Sequence, residues 1–103
     1  MTLGQKQRKF TLMVANLIEY AYEQGYELTF GDAYRDPRVT YGHANSLHRS
    51  RLACDFNLFI DGEYITDGAG HDILHDFWDG TGGSKRIDND MNHYSLSDGS
   101  GMR

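Results

Sequence analysis

One cysteine, Cys54, stands in the 103-residue chain, so no internal disulfide can form, and its isolation fits a reducing compartment. One proline, Pro37, is present, within the stretch 36–46, which reads as a loop. Positive charge is scarce: 10 Lys and Arg face 15 Asp and Glu, for a net charge of −5. The segment KQRK (Lys6–Lys9) and the scattered arginines make no basic stripe, which argues against a nucleic-acid partner. The longest apolar stretch, around Leu12–Ile18, is broken by Asn16 and is too short to span a bilayer. The N-terminus lacks the apolar core of about 7–15 residues that marks a secretory signal. Synthesis in the cytoplasm is therefore expected, and action outside the membrane would need a partner that permeabilises it. There are no repeats and no low-complexity segment.

What is present describes a globular chain. Hydrophobic residues make up 39%, aromatics 13% and charged residues 24%, with 12 glycines besides. The length predicts one domain, 1–103, expected to act as a monomer. A domain this small buries only a modest core, so a metal tie would help it.

Hydrophobic spacing predicts the elements. Phe10, Met13, Leu17 and Ala21, with Val14 and Ile18, give an amphipathic helix from about Gln5 to Gln24, stopped by Gly25. The segment from Tyr26 alternates as a strand, Leu28 and Phe30 opposite Glu27 and Thr29. A second strand, Leu52–Ile60, continues through the turn Asp61-Gly62 into Glu63–Thr66, a strong hairpin signal. Residues 70–79 read as a short helix ended by Gly80, and Met91–Leu96 as a last strand before a frayed Gly/Ser tail. The expected class is α+β: a small antiparallel sheet packed with an N-terminal helix and one further helix.

Three places can carry chemistry. In HDILH, His71 and His75 lie one helical turn apart, the spacing of the H-E-x-x-H zinc helix. Asp72 is one methylene shorter than the glutamate of that motif, and Ile73, Leu74, Phe77 and Trp78 account for the helix without a metal. The expectation is a packing helix with both histidines near its rim. In the second place, strand alternation sets Ala53, Asp55 and Asn57 on one face and Leu52, Cys54, Phe56 and Leu58 on the core face. A carboxylate on a central strand is expensive to bury bare, and a metal would supply its partner. Cys54 points away and reads as core. Third, Asp90 and His93 are three apart at the entry to the last strand, where His93 and Ser95 share a face.

The order of these residues resembles a known family. Ser46-Leu-His48-Arg-Ser-Arg51-Leu-Ala53-Cys-Asp55, followed by Asp90-Met-Asn-His93 before Tyr94, is similar to the signature S-x-H-x-x-G-x-A-x-D and late acid-x-x-H of the zinc D-Ala-D-Ala carboxypeptidases and phage L-alanyl-D-glutamate endopeptidases. Arg35, after the first strand, fits an arginine expected there. The likeness runs from about Phe10 to Ser95, and small phage-type endolysins resemble this chain most. It implies the fold shared with the hedgehog signalling domain and one zinc ion held by His48, Asp55 and His93. It further implies Asp90 as general base, Arg35 as the group that binds the scissile carbonyl and its developing oxyanion, and Ser46 as a substrate contact. The implied activity is hydrolysis of peptidoglycan stem peptides, as an endopeptidase or a D-Ala-D-Ala carboxypeptidase. Arg51 departs from the pattern, standing where the signature usually has glycine. A zinc-stabilised, non-catalytic binding module is the alternative from another class.

Overall fold

A computed structural model describes residues 1–36, 38 and 46–99. Most of the loop expected over 36–46, His43 within it, and the last four residues of the tail lie outside the described residues.

The first helix, α1, spans Leu3–Glu23, two residues earlier than the apolar spacing suggests. The reason is a capping box. Thr2 accepts from the Gln5 amide and the Gln5 side chain accepts from the Thr2 amide, satisfying two otherwise orphaned donors. Gly25, at φ 82, then turns the chain into β1 (Tyr26–Phe30). Strand β2 (Ala53–Ile60) folds back through Asp61 and Gly62, both at positive φ, into a two-residue strand β3 (Glu63–Tyr64). Two left-handed residues in sequence match the twist of a tight hairpin. Helix α2 (His71–Gly80) and strand β4 (His93–Ser95) complete the order. The architecture is α+β, two helices on a small antiparallel sheet, as the patterning implied.

Strand β2 is the spine. β1 lies along one side, Tyr26 opposite Ile60 and Phe30 opposite Phe56. Along the other side β3 and β4 lie end to end: Tyr64 faces Phe59, while His93 faces Asp55 and Ser95 faces Ala53. The ladder on that side is broken. Its last bond toward β4 runs from the Phe56 amide to the Asn92 carbonyl, and its first toward β3 from the Ile65 amide to the Leu58 carbonyl.

The core lies between the sheet and the helices. α1 contributes Phe10, Met13, Leu17 and Ala21; β2 contributes Cys54, Phe56 and Leu58; α2 contributes Leu74 and Trp78. Each fully buried large apolar side chain stabilises the fold by about 1.5–3 kcal/mol. Trp78 meets Phe10 edge-on at 5.7 Å and Tyr94 at 5.8 Å, and its indole N–H donates to the Ser95 carbonyl at 3.0 Å. Phe30, which shares a face of β1 with Leu28, is 65% exposed at the end of the strand, its ring 5.3 Å from that of Phe56. Cys54 is core as expected; burial, then the neighbouring Asp55 carboxylate, pushes its thiol up to about 12.

Candidate metal centre

The site assembles on the face of β2 opposite the core. Alternation turns Asp55 and Asn57 to this face, and the Asp55–His93 pairing sets the His93 ring beside the Asp55 carboxylate. His48 arrives on a 3₁₀ turn, Leu47–Ser50, that the sequence pattern did not indicate. Ser46 caps that turn, its hydroxyl accepting from the His48 amide at 3.3 Å, and the buried Leu47 anchors it. Arg51 closes the turn at φ 57 and ψ 34, a left-handed conformation that favours glycine. Its guanidinium lies 4.1 Å from the centre of the Tyr34 ring.

Three ligand-type groups converge. His48 Nε2 is 3.2 Å from Asp55 Oδ1, and His93 Nδ1 is 3.1 Å from the same oxygen. The two rings meet edge-on with centroids 5.0 Å apart. One donor atom from each residue lies within 4.8 Å of the others, and among the described residues this is the group that could hold a metal ion. Both histidines are buried, and Asp55 is partly so. Burial alone would raise the Asp55 carboxyl; hydrogen bonds from His48 and His93 outweigh it and bring the group down to about 2.

The donor set fits a tetrahedral cation. Bonds of about 2.0–2.1 Å around zinc give ligand–ligand edges of about 3.3 Å, close to the two distances onto Asp55, while the two histidine nitrogens lie within 4.8 Å of each other. Three protein donors would leave a fourth position open, the pattern of catalytic rather than structural sites. His48 Nδ1 and His93 Nε2 are also buried and make no hydrogen bond within the described structure.

The surroundings hold these ligands in place. Arg35, 8% exposed, donates its backbone amide to the His48 carbonyl and its guanidinium to Asp32 at 3.3 Å. The Asp32 carbonyl accepts the Asp55 amide at 2.7 Å. Asp90 lies exposed in the loop before β4, and its carbonyl accepts the His93 amide at 3.1 Å.

His71 and His75 are outside this group, yet they are not at a rim. They are 2% and 1% exposed, because α2 presses its histidine face against Tyr94. His75 stacks on the Tyr94 ring at 4.2 Å; one ring nitrogen faces Asp79 at 2.9 Å and the other the His93 carbonyl at 3.0 Å. It thus braces the backbone of a candidate ligand. Asp79 continues the brace to Arg86, which also pairs with Asp76. Reading HDILH only as a metal motif or a packing face misses this role; the signal that could have shown it was the aromatic at Tyr94, next to His93.

No protein-family model matches the chain, and no curated protein matches it. Among the described residues no helix is long and apolar enough to cross a membrane.

Proposed function

We propose that the protein is a zinc peptidase with the hedgehog/D-Ala-D-Ala-peptidase fold that hydrolyses peptidoglycan stem peptides, most specifically as a phage-type L-alanyl-D-glutamate endopeptidase. The observation that supports this most is the convergence of His48, Asp55 and His93. His93 lies 38 residues beyond Asp55, the three occupy the ligand positions of the signature the chain resembles, and they meet within 4.8 Å.

In this reading His48, Asp55 and His93 hold one zinc ion. When bound, zinc supplies a Lewis acid and acidifies water toward a pKa of about 7. The chain's own residues supply the rest. Asp90, exposed beside the ligand His93, takes the proton of the attacking water and later returns it to the leaving amine. Arg35, bonded through its backbone to His48, orients the scissile carbonyl and stabilises the oxyanion that develops there. Ser46, whose hydroxyl caps the His48 turn, contacts the substrate near the metal. Arg51, which departs from the signature's usual glycine, holds the left-handed backbone that glycine favours.

The test is mass spectrometry of muropeptides digested with the zinc-loaded protein. Cleavage between L-alanine and D-glutamate is expected. Removal of a terminal D-alanine alone would make the protein a carboxypeptidase. Asp90→Ala should keep the metal and lower hydrolysis by about 10²–10⁴-fold; metal binding with no turnover in the parent protein would identify a non-catalytic module.

A further inference from the structure

The segment that leads into β4 carries both Asp90 and His93, and two hydrogen bonds fix its shape. The Asp90 amide donates to the Ile87 carbonyl at 2.8 Å, and the His93 amide donates to the Asp90 carbonyl at 3.1 Å. Helix α2 holds this segment at both ends. At one end His75 Nε2 lies 3.0 Å from the His93 carbonyl. A carbonyl oxygen only accepts, so the imidazole donates there. At the other end Arg86, next to Ile87 in the chain, donates its backbone amide at 3.3 Å and its Nε at 3.0 Å to Asp79 Oδ2.

Asp79 joins the two ends. Its Oδ1 meets His75 Nδ1 at 2.9 Å while its Oδ2 takes Arg86. The contacts close a circuit: from Asp79 to Arg86 and Ile87, on through Asp90 to His93, and back through His75 to Asp79. The candidate base and a candidate ligand both lie on it. The Asp79 side chain is 16% exposed and stands outside the group that could hold a metal. Arg86 has a second carboxylate partner in Asp76, but that side chain is 74% exposed, and a pair so open to solvent is worth little.

We propose that Asp79 is a positioning residue that holds Asp90 and His93 in one fixed relation at the metal centre, acting through His75 and Arg86. It touches neither the metal nor the substrate. The role of Asp90 as base rests on the peptidase reading; the circuit itself does not.

The test compares Asp79→Ala, Asp79→Asn and Asp76→Ala in the full-length protein. Three quantities are read: zinc affinity in competition with a chelating indicator, amide hydrogen exchange at Asp90 by NMR, and kcat and KM on an L-alanyl-D-glutamyl peptide. Asp79→Ala is expected to weaken zinc binding about 10–100-fold. It should also speed exchange at Asp90 about tenfold and lower kcat with little change in KM. Asp79→Asn should recover most of each loss, because an amide accepts from Arg86 through its oxygen and donates to His75 through its nitrogen. Asp76→Ala removes an equal charge from the same arginine and should match the parent. Parental zinc affinity and parental exchange in Asp79→Ala would overturn the proposal, even with a loss of urea stability, since Asp79 would then serve the fold alone. Asp76→Ala or Asp79→Asn behaving like Asp79→Ala would also overturn it, because charge and not the circuit would carry the effect. A parent that cleaves nothing removes the peptidase reading, and zinc affinity and exchange still decide the role of Asp79. A parent that binds no zinc removes the metal reading, and exchange at Asp90 decides alone.

Discussion

Arg51 shows how a single residue can depart from a sequence pattern and keep its geometry. A left-handed arginine costs about 1–2 kcal/mol relative to glycine. Glycine would in turn cost about 0.5–1 kcal/mol in chain entropy and forfeit the Tyr34 contact, worth about 0.5–1 kcal/mol at an exposed site. Arg51→Gly is therefore expected to leave unfolding stability in urea within about 1 kcal/mol of the parent, while Arg51→Val, β-branched at positive φ, should lose more. A loss above about 2 kcal/mol for the glycine variant would mean the guanidinium holds the His48 turn by contacts that this balance omits. The candidate ligands were legible at this scale because type and order survive in sequence: S-x-H, then the acid, then acid-x-x-H. The His75 contact with the His93 carbonyl was not, because a backbone acceptor carries no side-chain signature.

At the scale of elements, periodicity located both helices, β1, the hairpin and the last strand. It missed what local hydrogen bonds decide. The capping box moved the start of α1, and the Ser46-capped turn carrying His48 is too short for any apolar period. Helix α2 shows the largest difference. Its face was read as Phe77 and Trp78 with histidines near the edge, yet Phe77 is only half-buried, stacked on Tyr20, and both histidines are inside. That burial has a measurable consequence. Desolvation, with the neighbouring His75 adding to it, lowers His71 from 6.5 to about 4. Between those values the unfolded chain binds a proton that the folded chain refuses. Stability is therefore complete above pH 6.5 and falls as pH drops toward 4, by about 3 kcal/mol from this group. The Asp55 carboxyl, already at about 2 in the fold, loses its contribution only below the ordinary carboxylate range, at lower pH. Urea unfolding of chelator-treated protein from pH 7.5 to 4 should show the fall, and His71→Gln should flatten it; parallel curves would contradict a neutral, buried His71.

For the whole molecule, a 103-residue chain with one cysteine has no internal disulfide, so a metal ion would be its one cross-link between elements. His48, Asp55 and His93 link the 3₁₀ turn, the central strand and the last strand. An ion bound at about 100 times its Kd would add about 2.7 kcal/mol, which for a domain of this size raises Tm by roughly 10–20 °C. Scanning calorimetry with zinc and with chelator should show that difference, and coincident transitions would mean that no ion is bound in the fold. The α+β class was legible from patterning because element type depends on local period. The meeting of the candidate ligands was legible only through a resemblance, since no local rule brings His48 to His93.

The proposed function depends on one metal ion held by His48, Asp55 and His93. Metal analysis of purified protein, alongside His48→Ala and His71→Ala, tests it directly. About one zinc per chain is expected for the parent and for His71→Ala, and essentially none for His48→Ala. Zinc retained by His48→Ala and lost from His71→Ala would place the ion on α2 and contradict the account.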